Sequence, residues 1–391
     1  MSAVATNTAT IDPVALASAL IQRPSVTPKD AGALPYLASV LRQLGFVCHL
    51  QEFTAPGTDP VLNLYARFGT DGRNFCFAGH TDVVPPGPRE AWNSDPFTAA
   101  IADGMLTGRG AADMKSAIAC FVAAVDRFLA VHEKNFTGSI SFLITGDEEG
   151  VSINGTRKLL EWLAAKGETL DACVVGEPTC VESLGDMIKI GRRGSMNATL
   201  TIHGVQGHTA YPHRADNAAH RLVGMLSALL AEPLDQGTEH FQPSSLQIST
   251  IDIGNPATNV IPGAARAVFN LRFNDRWSSA TLTDWLKHKL DALGGRYDLA
   301  IQVSGESFLV APGEVSDLLG RAIARVTGRT PELSTGGGTS DARFIHRFCP
   351  LAEFGMVGLT MHKANEGVLV SDLADLTEIY RLLLEGYFPA R

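Results

Sequence analysis

NFCFAGHTD, residues 74–82, is an apolar run that ends in a histidine and an aspartate. Two later runs end in the same way: residues 139–146 (SISFLITG) precede the acids of residues 147–149, and residues 172–176 (ACVVG) precede Glu177. In an open α/β sheet, ligands gather in the crevice beyond the carboxyl ends of the strands. We therefore expect three strands whose polar ends converge, and this mixture of imidazole and carboxylate is typical of a metal site.

Helix-like segments alternate with these strand-like runs. The predicted elements are two helices within residues 12–44, separated by Pro24 and Pro28, strands at 46–53, 62–68 and 74–79, and helices at 115–131 and 154–165. Such alternation predicts an α/β fold with a doubly wound, mostly parallel sheet.

The order of predicted strands and helices changes after residue 193. Six segments follow in the order strand, helix, strand, strand, helix, strand: 196–204, 217–231, 245–254, 264–273, 280–293 and 297–305. That order predicts an inserted ferredoxin-like α+β domain over residues 194–306, within a catalytic domain made of residues 1–193 and 307–391. The helix at 217–231 carries an apolar stripe, which either covers its own sheet or forms a dimer interface.

Composition indicates a globular protein of two domains: 391 residues, 45% apolar and 19% charged. A formal net charge of -9 and scattered basic residues argue against a nucleic-acid partner. The six cysteines show no CxxC spacing and are expected to be buried, reduced thiols. Residues 1–12 lack the features of a signal peptide, and no apolar run is long enough to span a membrane, so a cytoplasmic protein is expected.

His80 and Asp82 project to the same side of an extended segment, since side chains alternate along a strand. A histidine that binds metal is usually held by a neighbouring carboxylate. We therefore interpret His80 as a ligand and Asp82 as the residue that orients it. Alternatively, Asp82 merely ends a strand before the turn at residues 85–87 (PPG).

Two acidic segments offer further ligands. Asp113 lies in residues 108–115 (GRGAADMK), where it could cap a helix or bridge two metal ions through its two oxygens. In residues 146–150 (GDEEG), one of the adjacent Glu148 and Glu149 could bind metal while the other acts as a general base on water. A solvated acidic turn is the alternative for that segment, and Glu177 and His362 are weak signals by themselves.

Five motifs occur in the order found in the co-catalytic zinc aminoacylase and carboxypeptidase family, which the chain resembles over nearly its whole length. They are HTD (80–82), GAADMK (110–115), DEEG (147–150), GEP (176–178) and the late His362. Further matching segments are IGRRGS (190–195), GHTAYP (207–212), TNVIP (258–262), STGGGTSDAR (334–343) and HKANE (362–366).

The resemblance implies two zinc ions per subunit. Asp113 would bridge them, with His80 and Glu177 completing one site and Glu149 and His362 the other. Glu148 would be the general base and acid for hydrolysis of an amide, and Asp82 would orient His80. Cobalt or manganese could replace zinc in vitro, because carboxylate and imidazole sites discriminate poorly between these ions.

The resemblance also implies a homodimer in which His208 reaches the partner subunit's active site and stabilises the oxyanion. The alternative for His208 is a surface-loop histidine. Other substrate-binding candidates are Arg192, Arg193 and Arg272 for carboxylates, and Tyr211, Asn259, Gly338, Thr339 and Ser340 for neutral contacts. The three arginines could instead be structural or simply solvated.

The paired arginines and the 334–343 loop fit a succinyl carboxylate and a second amino-acid end better than an acetyl group. An acetylornithine deacetylase or a dipeptidase of the same family would share every metal ligand and stays an alternative. A non-catalytic binding protein with this fold should have lost the base or a ligand, and the chain retains both.

Overall fold

The computed structural model describes residues 10–132 and 136–388, so most of the N-terminal stretch considered for a leader lies outside the described residues. The chain divides into two compact units: residues 1–190, 310–333 and 340–391, and residues 191–309 and 334–339. The second unit is therefore larger than the expected insertion at 194–306. Its ends pair with each other through Gly191–Arg192 and Phe308–Leu309, and Thr335 Oγ1 donates to the carbonyl of His240, 2.6 Å away.

The strands are β1 Val47–Phe53, β2 Val61–Phe68, β3 Asn74–His80, β4 Ala100–Ala102, β5 Met105–Thr107, β6 Ser139–Thr145, β7 Ala172–Val175, β8 Met187–Lys189, β9 Gly191–Arg192, β10 Gly194–His203, β11 Gly207–His208, β12 Ser245–Asp252, β13 Val260–Ile261, β14 Ala264–Phe273, β15 Arg296–Gly305, β16 Phe308–Leu309, β17 Glu332–Ser334, β18 Leu351–Glu353 and β19 Gly367–Leu369. The helices are α1 Pro13–Ile21, α2 Ala33–Gln43, α3 Ser116–His132, α4 Thr156–Ala165, α5 Ala218–Leu230, α6 Ser279–Asp291, α7 Glu314–Thr327, α8 Ala342–Ile345 and α9 Val370–Tyr387.

The first unit is built on an eight-stranded sheet in the order β1-β2-β6-β3-β7-β18-β8-β17. The four central strands β6, β3, β7 and β18 are parallel, which confirms the predicted α/β class. Antiparallel strands lie outside them: β1 and β2 on one side and β8 on the other. Strands β1 and β2 are antiparallel because residues 54–60 are too few for the crossover that a parallel pair requires.

Helices cover both faces of this sheet. Phe77 on β3 stacks on Phe121 of α3, with ring centroids 4.5 Å apart, and both rings contact Tyr380 of α9. Tyr65 on β2 faces the opposite side, where it meets Trp162 of α4. Burial of these rings fixes the sheet between its helices, so the carboxyl ends of β3, β6 and β7 are held at one edge.

The second unit contains an antiparallel sheet in the order β12-β14-β10-β15, with α5 and α6 in the connections. This is the predicted ferredoxin-like order. Four residues of the apolar stripe on α5 are buried in the core of this unit: Leu222, Met225, Leu226 and Leu229. Val223 and Leu230 stay exposed. Most of the stripe therefore covers its own sheet.

All six cysteines are free thiols, and five of them are buried as expected. Cys48 is partly exposed because it lies on the edge strand β1. Among the helices of the described residues, none combines the length and the apolar character that crossing a bilayer would need.

Candidate metal centre

Three strand ends bring the predicted ligands of the first unit together. His80 is the last residue of β3, Glu148 and Glu149 follow β6, and Glu177 follows β7. Because these strands are parallel neighbours, their carboxyl ends place the four side chains at one edge of the sheet. His80 and Glu177 are buried, and Nε2 of His80 lies 3.8 Å from Oε1 of Glu177.

Asp113 lies in the turn Ala111–Lys115 that leads into α3, and its peptide bond to Met114 is cis. Its two carboxylate oxygens face different histidines. Oδ1 is 3.1 Å from Nε2 of His80, and Oδ2 is 3.3 Å from Nε2 of His362. The same His362 nitrogen is 2.8 Å from Oε1 of Glu149. Asp113 thus connects two groups of candidate ligands.

Negative charge is in excess at this edge, where carboxylates outnumber imidazoles. Burial raises the pKa of Glu148 well above its ordinary value, and the nearby charge of Glu177 raises it further. Burial also raises the pKa of Asp82 to about 6. Hydrogen bonds that His362 donates to the carboxylates of Asp113 and Glu149 raise its pKa to about 10. The site therefore favours added positive charge, either protons or metal ions.

The donor atoms are close enough to hold cations. Ligand atoms of His80, Glu148 and Glu177 lie within 4.8 Å of one another, and so do those of His80, Asp113 and Glu149. Carboxylate oxygen and imidazole nitrogen are the donors that zinc, cobalt and manganese accept. These residues consequently fit divalent metal ions.

Asp82 was expected to orient His80 through its carboxylate, but the nearer contact is with its backbone carbonyl. Nδ1 of His80 lies 2.9 Å from the backbone carbonyl oxygen of Asp82, whereas its distance to the carboxylate is 3.6 Å. The carboxylate instead accepts hydrogen bonds from the backbone N–H groups of Glu148 and Glu149, at 3.3 and 3.0 Å. Asp82 therefore orients His80 through its main chain and the acidic turn through its side chain.

The turn after β6 is held by a residue to which the motifs assigned no role. Asp147 is buried, and its carboxylate accepts hydrogen bonds from the backbone N–H groups of residues 152, 153 and 154 at 2.9 to 3.2 Å. Two other charged residues without an assigned role, Arg109 and Glu366, form a buried ion pair. The only sequence signal was that Glu366 lies within the matching segment 362–366 and that Arg109 directly precedes the motif at 110–115.

Most predicted substrate-binding residues belong to the second unit. Arg192 is buried and donates from Nη1 to the backbone carbonyl of Gly338, 3.1 Å away. Burial lowers the pKa of Arg193, and the like charge of Arg272 adds to that effect. Two neighbouring guanidinium groups in a partly buried position create a place where an anion would be stabilised.

His208, Tyr211 and Asn259 also lie near one another in the second unit. His208 pairs with Val260 across β11 and β13, and its ring contacts that of Tyr211 at 5.7 Å between centroids. The backbone carbonyl of Asn259 accepts a hydrogen bond from Thr209. His208 and Tyr211 are exposed.

The three candidate residues of the predicted 334–343 loop are divided between the two units. Gly338 and Thr339 belong to the second unit, whereas Ser340 belongs to the first. Ser340 is fully buried and donates to Oε2 of Glu353, 3.0 Å away. Within the first unit, Ser340 thus fixes a β18 carboxylate.

Comparison with known proteins assigns the chain to a family. The sequence model of Peptidase family M20/M25/M40 matches residues 76–386. A curated relative from Rhodospirillum centenum, named succinyl-diaminopimelate desuccinylase, is 59% identical over 379 residues, which are 96% of this chain and 97% of the relative.

Two solved structures share the fold. An M20 family metallo-carboxypeptidase from Sulfolobus solfataricus has a TM-score of 0.76 and 16% identity, with 96% of this chain and 99% of that chain covered. A dinuclear metal-binding peptidase of the M20 family from Bacillus subtilis has a TM-score of 0.67 and 14% identity, with coverages of 97% and 98%. The chain belongs to Peptidase family M20/M25/M40, which confirms the family that its motifs predicted.

Proposed function

We propose that the chain is a metal-dependent amide hydrolase that converts N-succinyl-L,L-2,6-diaminopimelate and water to succinate and L,L-diaminopimelate, a step in making lysine and cell-wall precursors. The main support for metal-dependent hydrolysis is the position of the Asp113 carboxylate, whose two oxygens face His80 and His362. The choice of acyl group is supported by the name of the 59% identical relative, which covers 96% of the chain.

Two zinc ions per subunit are the proposed cofactor, with cobalt or manganese as substitutes in vitro. The residues that would hold them are His80, Asp113, Glu149, Glu177 and His362. When bound, such ions polarise a carbonyl oxygen and lower the pKa of water. The excess of carboxylates, with the raised pKa of Glu148, supports the proposal because divalent cations would offset that charge.

Glu148 is the proposed general base and acid. Glu148 lies three residues after the end of β6, and its backbone N–H is anchored by the Asp82 carboxylate. Glu148 would take a proton from the attacking water and return it to the nitrogen of the leaving amine. The proton therefore moves between substrate atoms through one side chain, which suits a carboxyl group of raised pKa.

Carboxylates of the substrate would be bound by Arg192, Arg193 and Arg272. The like charge of Arg272, which lowers the pKa of Arg193, supports this role, since a carboxylate would relieve the repulsion between the two guanidinium groups. Neutral hydrogen bonds would come from Tyr211, Asn259, Gly338, Thr339 and Ser340. An acetyl group lacks the carboxylate of a succinyl group and would offer these arginines one anion fewer.

A homodimer completes the proposal. His208 would reach the partner subunit's active site and donate to the developing oxyanion. Its exposed position supports this role, because a side chain buried within its own unit could not serve another. A cytoplasmic location stays a prediction.

The proposal is tested by initial-rate hydrolysis of N-succinyl-L,L-diaminopimelate and N-acetylornithine by the zinc-loaded full chain, with a chelated control. We expect chelator-sensitive cleavage of the succinyl compound and slow or absent cleavage of the acetyl compound. Preference for the acetyl compound would keep the metal mechanism and overturn the substrate. Cleavage that survives chelation would overturn the mechanism.

A further inference from the structure

Arg109 and Glu366 form an ion pair in the interior of the first unit. Arg109 Nη1 donates to Glu366 Oε2 at 2.6 Å, and the two side chains are 2% and 1% exposed. Burying two charges costs free energy that their mutual attraction offsets only with good geometry, and apolar residues of similar volume often stabilise as well. Stability alone is therefore a weak reason for burying these two charges.

The second oxygen of Glu366 holds the main chain at Asp113. Oε1 accepts hydrogen bonds from the backbone N–H groups of Ala112, at 2.9 Å, and Asp113, at 3.1 Å. The backbone carbonyl of Glu366 accepts a third hydrogen bond from Gly108 at 2.8 Å. Glu366 thus fixes the main chain at residue 108 and at residues 112–113, in the segment that presents the Asp113 carboxylate.

Arg109 holds the main chain at His362. Its guanidinium donates to the backbone carbonyl oxygens of Lys363, at 3.2 Å, and His362, at 3.5 Å. His362 has a φ of 62°, in the left-handed region that residues other than glycine rarely adopt. A backbone in that region persists only where its surroundings over-determine it. The guanidinium is one of the contacts that do so.

We propose that Glu366 is a positioning residue, which acts with Arg109 to keep the Asp113 carboxylate and the His362 imidazole at a fixed separation. This inference rests on the proposed function, since it takes both side chains as metal ligands. One ion pair fixes the main chain of each, so a change in the pair moves one ligand relative to the other. The pair then sets metal affinity without touching the metal or the substrate, as outer partners of metal ligands do.

The test is Glu366→Gln, with Glu168→Gln as the matched control. Glutamine has the shape of glutamate but one acceptor oxygen, so it serves either the two backbone N–H groups or Arg109 and presents an amide N–H₂ to the other. Glu168 likewise pairs with an arginine, Arg67, but it contacts Tyr65 and Arg67 on β2. The readouts are zinc retained against a competing chelator, the absorption spectrum of cobalt-substituted protein, and thermal unfolding.

We expect Glu366→Gln to lower metal affinity about 10-fold to 100-fold and to alter the cobalt spectrum. Glu168→Gln should leave both unchanged. If Glu366→Gln lowered the unfolding temperature but bound zinc and cobalt as the unaltered chain does, the pair would be structural and the inference wrong. If the unaltered chain itself bound no metal, the proposed function would fail first, which separates the two failures.

Arg109→Lys provides a second variant in case Glu366→Gln does not fold. Lysine keeps the positive charge next to Glu366 but cannot reach two carbonyl groups and a carboxylate with one planar fork. The Asp113 turn should then stay held while the hold on residues 362–363 weakens. A loss of metal affinity in this folded variant supports the inference, and unaltered affinity overturns it.

Discussion

Glu148 in the first unit and Asp235 in the second are both carboxylates among polar neighbours, yet their pKa values shift in opposite directions. Burial and the charge of Glu177 raise the pKa of Glu148. Asp235 receives four hydrogen bonds: from the backbone N–H groups of Gly237 and Ser244, from Asn274 Nδ2 and from Trp277 Nε1, at 2.7 to 3.1 Å. Although burial raises the pKa of Asp235, these bonds lower it overall.

The difference distinguishes a carboxylate that stabilises the fold, Asp235, from the proposed general base, Glu148. Asp235 ties residues 235–244 to the end of β14, and every donor around it stabilises the charged form. Glu148 lies among other carboxylates, which disfavour its charge. A group whose surroundings oppose its charge at neutral pH is poorly placed for stability and well placed to carry a proton.

The largest expected effect comes from Glu148→Gln. Removal of the general base should lower kcat for the succinyl substrate about 10²-fold to 10⁴-fold. Bound zinc should be retained, because the proposed ligands are unchanged. Steady-state kinetics and metal analysis of the same preparation check both statements.

The same variant sharpens the comparison through stability. Because the charge of Glu148 is opposed by Glu177, the neutral glutamine should leave the unfolding temperature of the chelated protein equal or higher. Exposed Glu161 on α4 supplies the control variant Glu161→Gln, for which we expect unaltered turnover. Full activity of Glu148→Gln would contradict the assigned mechanism.

His80→Ala should weaken metal binding, because this imidazole lies next to both Asp113 and Glu177. The expected loss is more than about 10-fold in affinity, since even outer partners of metal ligands contribute that much. Titration against a chelator of known affinity measures it. Far-ultraviolet circular dichroism separates loss of metal from loss of fold, and a folded variant with unchanged affinity would remove His80 from the ligand set.

Asp235→Ala should act on stability alone. It leaves donors at Asn274 and Trp277 without their acceptor, at a cost of about 1–3 kcal/mol in the free energy of unfolding. Trp277 fluorescence during denaturant unfolding reports on this unit. Zinc content should equal that of the unaltered chain, and a loss of metal instead of stability would erase the distinction drawn between the two carboxylates.

The sequence predicted the strand ends well because the signal is local. An apolar run followed directly by His80, or by Glu177, fixes both the element and the position of the side chain at the carboxyl edge. The order of strands and helices in the second unit was equally readable, since each element carries its own hydrophobic period.

Contacts between residues far apart in the chain could not be predicted from local sequence patterns. The hydrogen bonds of the Asp82 carboxylate to residues 148 and 149 depend on how two loops meet after folding. Arg109 and Glu366 are 257 positions apart, and neither has a periodic or spacing signal that would pair them. The same holds for residues 334–339, which join the second unit through contacts such as that of Thr335 with His240.

The smallest expected effect is the pH dependence of the Asp235 contribution. Its pKa in the folded chain is lowered, whereas an unfolded aspartate titrates near about 3.9. The stabilisation is therefore fully present above about pH 4 and is lost as the pH falls through the lowered folded value. The difference in unfolding free energy between the unaltered chain and Asp235→Ala should narrow as the pH is reduced from 5 towards 3, as followed by Trp277 fluorescence. Asp252→Ala, which removes an exposed carboxylate from β12, is the control for the change in net charge. A difference that stayed constant over this range would mean that the four donors stabilise the neutral carboxyl group equally, and the contrast with Glu148 would then rest on burial alone.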